Sequence, residues 1–251
     1  MSPIVPSPAH SADPWAPLRA STQARIGLGR AGMSLPTAAV LDLQVALAAA
    51  RDAVHVPLDV DSLLPGLDEL GLGAPVVLAS RAGDRGTYLR RPDLGRRPAS
   101  LAGLPAGGWD VGFVIADGLS SKAVADHAVP MMHALVAALD PGLSAAPPVV
   151  VTQARVAIAD EIAEAMGLTT VLVLIGERPG LSVADSLGIY LTHLPRPGRT
   201  DAERNCISNI HPPEGLGYAI AARTAVGLLR GARELGRSGV DLKDTASAEL
   251  V

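Results

Sequence analysis

Aromatic side chains are nearly missing from this chain of 251 residues, in which one Phe, two Trp and three Tyr account for 2%. A core of large rings is excluded, so with 48% hydrophobic content the interior must be built from Val, Leu, Ile and Ala. Cysteine is equally scarce. The lone Cys206 rules out an intrachain disulfide and fits a reducing compartment, expected to be the cytoplasm. There is no basic block or basic-aromatic interleaving, and 21 Lys+Arg against 25 Asp+Glu leave a net charge of −4. Nucleic acid is therefore not an expected partner. No apolar run is long enough to cross a bilayer, and no charged n-region leads into an apolar h-region, so no membrane association is expected. The six histidines show no i, i+4 pair and no Cys or carboxylate at zinc-ligand spacing. No metal site is predicted.

What the chain has in plenty is glycine and proline, 26 and 21 residues. Pro3, Pro6, Pro8, Pro14 and Pro17 are spaced so as to oppose a stable helix, and residues 1–20 are expected to be a flexible tail. Residues 21–104 are read as a mostly helical N-terminal domain. Within it, Leu35 to Arg51 carries Val40, Leu41, Leu43, Val45 and Leu47 among alanines, with Ser34 before Pro36, the pattern of a capped helix with one apolar face. Asp61 to Leu70 predicts a shorter helix, and Pro75-Val76-Val77-Leu78-Ala79 a strand. The Arg-rich stretch from Arg81 to Arg97, broken by Gly83, Gly86, Pro92 and Gly95, reads as a loop and domain border.

Residues 105–251 follow a different rhythm. Apolar runs at 110–116, 148–151, 171–175 and 186–192 alternate with helical patterns ending in a last helix over roughly 216–235. Continuous apolar strands alternating with helices predict an α/β fold, an open and mainly parallel Rossmann-like sheet with helices on both faces. In such sheets the carboxyl ends of the strands face the ligand crevice. Three exits stand out there: Asp117-Gly118-Leu119-Ser120, Gln153-Ala154-Arg155-Val156, and Ile175-Gly176-Glu177-Arg178-Pro179-Gly180-Leu181-Ser182. Ordinary solvated turns would show the same composition.

Gly27-Leu28-Gly29-Arg30-Ala31-Gly32 matches G-x-G-x-x-G, with Asp52 downstream at a distance suited to a ribose contact. A nucleotide-dependent oxidoreductase would rest on this segment. Yet Ser21 to Ile26 offers almost no apolar run for the preceding strand, and Pro36 starts the helix too late to aim its N-terminus at a pyrophosphate. Cys206 is a nucleophile only if a histidine lies beside it, and is otherwise a small hydrophobe. Glu177 and Arg178 read equally as a surface pair, and Asp160, Glu161 and Glu164 as a solvated helix face. No complete catalytic set emerges, which leaves a non-catalytic interaction subunit open as well.

Four blocks taken together are more specific: Ala24 to Arg30 with Ser34 to Thr37; Ala50 to His55; Ile115 to Ser120; and Ile175 to Tyr190 with Asn205-Cys206-Ile207-Ser208-Asn209. In this order and spacing the chain resembles the small subunit of ethanolamine ammonia-lyase, over nearly everything after about residue 22. The resemblance implies a lyase that converts ethanolamine to acetaldehyde and ammonia with adenosylcobalamin. It implies a partner large subunit, a TIM barrel that carries the substrate site, several heterodimers per enzyme, and an N-terminal half packed against that partner. It further implies that the Rossmann-like domain holds the cobalamin through Val156, Glu177 and Cys206, with no catalytic residue on this chain. The lack of an Asp-x-His-x-x-Gly motif agrees with the family's base-on cofactor. Some relatives enter a bacterial microcompartment through the small subunit's N-terminus, a role that the five early prolines oppose.

Overall fold

The computed structural model describes residues 13–243. One six-stranded sheet organises it: β1 (Val76–Ala79), β2 (Val111–Ala116), β3 (Val149–Thr152), β4 (Thr170–Gly176), β5 (Leu187–His193) and β6 (Asn205–Ile210), in the spatial order β1-β3-β2-β4-β5-β6. β2 and β4 are buried at every position and β3 at all but its last residue. Fully burying such Val, Leu and Ile side chains stabilises the fold by about 1.5–3 kcal/mol each.

The sheet is mixed: the expected parallel part is present, and two antiparallel strands extend it. β1, β3, β2 and β4 run parallel, but β5 is antiparallel to β4, and β6 is antiparallel to β5. The reason lies in the connections. A parallel return needs a crossover of a dozen or more residues, usually a helix. Residues 177–186 and 194–204 instead contain Pro179, Gly180, Pro195, Pro197 and Gly198 and form no α-helix. β1 lies before residue 104, so the segment read as a helical N-terminal domain contributes a strand to the same sheet.

Among the described residues, three of the seven α-helices precede β1: α1 (Ala16–Arg19), α2 (Thr37–His55) and α3 (Leu64–Asp68). α1 falls in the span expected to be a tail. Pro17 sits in its first turn, where a missing N–H costs nothing, and Arg19 Nη1 donates to the Gly27 carbonyl at 2.7 Å. The other prolines expected to oppose helix there, apart from Pro14, lie outside the described residues. α2 starts from Pro36 with no side-chain cap, and Ser34 pairs with Ala31 instead. α4 (Arg85–Arg90) lies in the stretch expected to be loop, its N-terminus capped by Asp84, which accepts from Thr87 N at 2.9 Å.

The remaining helices cover the sheet. α5 (Ser121–Ala138), capped by Ser120, and α7 (Tyr218–Leu235) pack with α3 on one face, over Phe113, Ile115, Leu172, Leu174, Ile189 and Ile207. α6 (Ile158–Met166) ends on left-handed Gly167 and covers the other face, over Val114, Val151, Val171 and Val173. It packs chiefly on β4, and Asp160 in its first turn reaches Arg204, just before β6. On that face Cys206 and Ser208 are exposed and Tyr190 is half-buried.

Candidate functional site

The parallel strands place their exits on one edge, and antiparallel β5 begins there. The loops leaving β2 and β4 are pressed together at two glycines. A Cβ on Gly176 would lie 1.9 Å from the Ser120 carbonyl oxygen, and one on Gly118 would lie 2.2 Å from the Gly176 carbonyl oxygen. Gly118 also takes φ +56°, a left-handed conformation that favours glycine.

Beside this contact lies a cleft of about 350 Å³ lined by Tyr88, Gly118, Leu119, Arg155, Val156, Ile175, Gly176, Glu177, Arg178 and Tyr190. Val156 and Glu177 therefore share one cleft. Cys206 is the cross-strand partner of Tyr190, one step along the uncovered face. Val156 and Glu177 lie just past strand ends, as expected, but Cys206 lies inside β6, a strand that sequence reasoning did not predict. Val156 and Arg155 also line a second cleft, of about 660 Å³, whose wall includes Arg96, Arg97, Arg199 and Asp201.

Glu177 is fixed by its neighbours while keeping one oxygen free. Its Oε2 accepts from Ser186 Oγ at 2.5 Å and from Asn209 N at 3.3 Å. Oε1 has no hydrogen-bond partner among the described residues. The carboxylate packs over Gly188, where a Cβ would come within 3.0 Å of Oε1. The loop behind it is strapped to the N-terminal segment, with Arg25 Nη1 donating to the Leu181 carbonyl at 2.8 Å and Ser182 Oγ to the Gln23 carbonyl at 3.0 Å.

Arg155 and Arg85 both lie over the ring of Tyr88, their guanidinium carbons 4.5 Å and 4.8 Å from its centroid. Arg155 Nε and Arg85 Nη2 are buried donors without a protein partner. Tyr88 is fully buried, and burial, the larger effect, pushes its hydroxyl up to about 12. It therefore stays protonated and donates to the Ala154 carbonyl at 3.1 Å. The Cys206 thiol is also pushed above its ordinary range, chiefly by desolvation, against a hydrogen bond with Tyr190 that lowers it and with a smaller push from the Glu177 carboxylate. A raised thiol is the opposite of an activated nucleophile. Tyr190 is raised too, chiefly by burial. Arg178, next to Glu177, is exposed and has no ion-pair partner among the described residues.

Elsewhere, no described strand precedes Gly27 to Gly32, and a Cβ on Gly27 would collide with Trp15 Cγ at 2.1 Å. That segment packs on an indole and lacks the strand-loop-helix context of a dinucleotide site. Among the described residues, Asp126, His127 and Asp185 are the one group whose ligand atoms come within 4.8 Å of each other. The Lys122 ammonium already serves as their counter-ion, bonded to Asp126 and 3.6 Å from Asp185. No described helix is long and apolar enough to cross a membrane.

Fold and site together define an open α/β protein with a cleft at the strand exits lined by Val156 and Glu177, next to the stretch of sheet that carries Cys206. The family described as Ethanolamine ammonia-lyase light chain (EutC) matches residues 12–243. The ethanolamine ammonia-lyase small subunit of Rhodococcus erythropolis is 63% identical over 239 residues, covering 95% of this chain and 93% of the relative. The corresponding protein of Azotobacter vinelandii is 53% identical over 243 residues, covering 93% and 89%, and that of Ralstonia nicotianae 50% over 248, covering 95% and 91%. The chain belongs to the family of ethanolamine ammonia-lyase small subunits, and so to an ammonia-lyase built with a large subunit.

Proposed function

We propose that this chain supplies one wall of an adenosylcobalamin cavity whose opposite wall, with the ethanolamine site, belongs to the large subunit. The observation that carries this reading is the meeting of Val156, Glu177 and Cys206 along one uncovered sheet face. That face is rimmed by loops too tightly packed to close over it.

The residues present suit a corrinoid rimmed with carboxamides. Such groups bring both donors and acceptors, and the cleft is lined by Glu177, whose Oε1 has no partner among the described residues, and by Arg155, whose buried Nε has none among them either. Cys206 gives a small soft side chain where a larger one would stand proud of the sheet, and Val156 adds apolar contact and backbone groups. When bound, the cofactor supplies the radical. The work of this chain is to hold it in register against the partner and to keep water from that side. Glu177 acts as a fixed acceptor because Ser186 and Asn209 prevent it from turning away.

α2 supports the partner half of the reading. Leu41 and Val45, one turn apart on the same side of the helix, are each more than half exposed, and Ala53 is its one buried residue. An apolar helix face of this kind suits burial against another subunit. On this reading the N-terminal segment packs on the large subunit, and the complex contains several heterodimers.

The test is the affinity of the assembled complex for adenosylcobalamin. Loss of a charge-assisted hydrogen bond in Glu177→Ala should weaken it roughly ten- to hundredfold. Unchanged affinity would remove the assigned role.

A further inference from the structure

We propose that Asp117 is a positioning residue for the cofactor, setting the turn that presents Arg155 and Val156. The inference rests on the cobalamin-wall reading above and adds to it a buried residue that touches no ligand.

Asp117 follows β2 and is 1% exposed. An ionised carboxylate at such a depth is costly unless its acceptor sites are filled. Here Oδ1 accepts from Ala154 N at 2.9 Å, and Oδ2 from Gln153 N at 2.8 Å and from Arg85 Nη1 at 3.3 Å. Both backbone donors belong to the exit of β3, so a side chain from one strand's loop dictates the path of its neighbour's. The path is an unusual one: Gln153 takes φ +55°, a conformation that a non-glycine residue holds only when its surroundings impose it.

The other supports of the turn converge on the same residues. Tyr88 Oη holds the Ala154 carbonyl, and Arg155 N donates to the Gly95 carbonyl at 2.8 Å. Arg85, the counter-ion of Asp117, is 8% exposed; its Nε donates to the Val54 carbonyl at 2.5 Å, and its guanidinium shares the Tyr88 ring with Arg155. Asp117 thus fixes the backbone of Gln153 and Ala154 directly, and through that turn the place of Arg155 and Val156, with the Arg155 guanidinium reached through Arg85 and Tyr88. Burial tends to raise the Asp117 carboxyl, opposed by the two N–H groups and by Arg85.

Asparagine is nearly isosteric but offers one acceptor oxygen where the turn uses two. In Asp117→Asn one of the N–H groups of Gln153 and Ala154 loses its partner, and Arg85 loses its counter-ion. The test uses the complex of this chain with its large subunit and adenosylcobalamin as the probe, its dissociation constant measured by equilibrium dialysis. Asp117→Asn should raise that constant roughly tenfold. The KM for ethanolamine, measured at saturating cofactor, should stay the same, a split that general loosening of the fold would not give.

If Asp117→Asn fails to assemble, Tyr88→Phe decides the matter. It removes only the bond to the Ala154 carbonyl and should raise the constant roughly threefold. A constant within about twofold of the unaltered complex, in Asp117→Asn or in Tyr88→Phe as the deciding variant, overturns the inference. Glu177→Ala, run alongside, separates the two ideas. If it weakens binding while Asp117→Asn does not, the positioning role alone falls; if neither does, the cobalamin wall falls with it.

Discussion

Tyr190 on β5 stands directly opposite Cys206 on β6, at the sheet edge beyond β4, the strand on which α6 packs. This pair exists only because β5 and β6 run antiparallel and extend the sheet past its helical cover. The thiol on this open face is held in its protonated form by desolvation and by the charge of Glu177. Reaction with iodoacetamide proceeds through the thiolate. On the isolated chain at neutral pH, alkylation of Cys206 should be slower than that of a cysteine in an unstructured peptide. The rate should rise with pH to a plateau above the ordinary thiol range, and Glu177→Gln should speed it. Mass spectrometry of timed samples provides the measurement.

Arg204 and Asp160 form a bidentate pair at 2.8 and 2.7 Å with side chains 1% and 3% exposed, and Arg204 also reaches Thr192 Oγ1 at 2.8 Å. The acidic residues of α6 were read as a solvated face, but Asp160 joins α6 to the start of β6. Asp160→Ala removes the hydrogen-bonded partner of a buried guanidinium, leaving only the exposed Asp201 carboxylate 3.8 Å from Nε, and should cost about 3 kcal/mol in a urea unfolding experiment. The exposed neighbour Glu164 tests the contrast: Glu164→Ala should change stability by less than about 0.5 kcal/mol.

The apolar stripe of α2 is predicted to act through assembly. Leu41→Asp with Val45→Asp should leave the thermal midpoint of the isolated chain within a few degrees of the original. Co-purification with the large subunit should be lost. A double variant that still assembles fully would show that the partner lies elsewhere.

His193 is buried on β5 with Nδ1 2.7 Å from Thr170 Oγ1, and burial, the main cause, lowers its pKa below the ordinary value. The native state therefore resists a proton that the unfolded chain accepts. Stability carried by the neutral ring is fully present above the unfolded pKa of about 6.5 and is lost as pH falls below it toward the folded value. The urea midpoint should fall between roughly pH 7 and pH 5. In His193→Gln that slope should flatten, although His127, also lowered chiefly by burial, will keep part of it.

The parts of the fold that were legible in the sequence are those with a strong pattern. β2, β3 and β4 are almost wholly apolar runs, β5 was expected from a looser one, and α6 and α7 match the helices expected from their periodicity. β6 was missed because it is half-exposed: of Asn205–Ile210 only Ile207 and Ile210 are buried, and the pairing with β5 is interrupted by a register shift between Leu187 and Ile189. Strand direction does not show in composition, but it was present in loop length and content, since residues 177–186 hold Pro and Gly and no helical pattern. α4 was announced by the Asp84 to Thr87 spacing and hidden by the surrounding arginines and glycines.

The site divides in the same way. Strand exits and a family resemblance brought out Val156, Glu177 and Cys206. Asp117 was noticed as part of an exit loop, but its buried place could not be told from an exposed one. Tyr88 and Arg85 escaped notice altogether, because their role depends on pairing with residues far along the chain: Tyr88 with Ala154 and Arg155, and Arg85 with Val54 and Asp117.

At Gly176 the backbone leaving β4 touches the one leaving β2 with no room for a methyl group between them. The middle of the rim is therefore a rigid sill. On the proposed reading, a bulky ring system would be admitted by movement at the flank, in the segment 180–186 tied to Gln23 and Arg25, since the turn at 153–156 is held by Asp117. Exchange of such a guest would then be governed by how firmly the N-terminal strap holds its loop, with the floor of the site unchanged throughout.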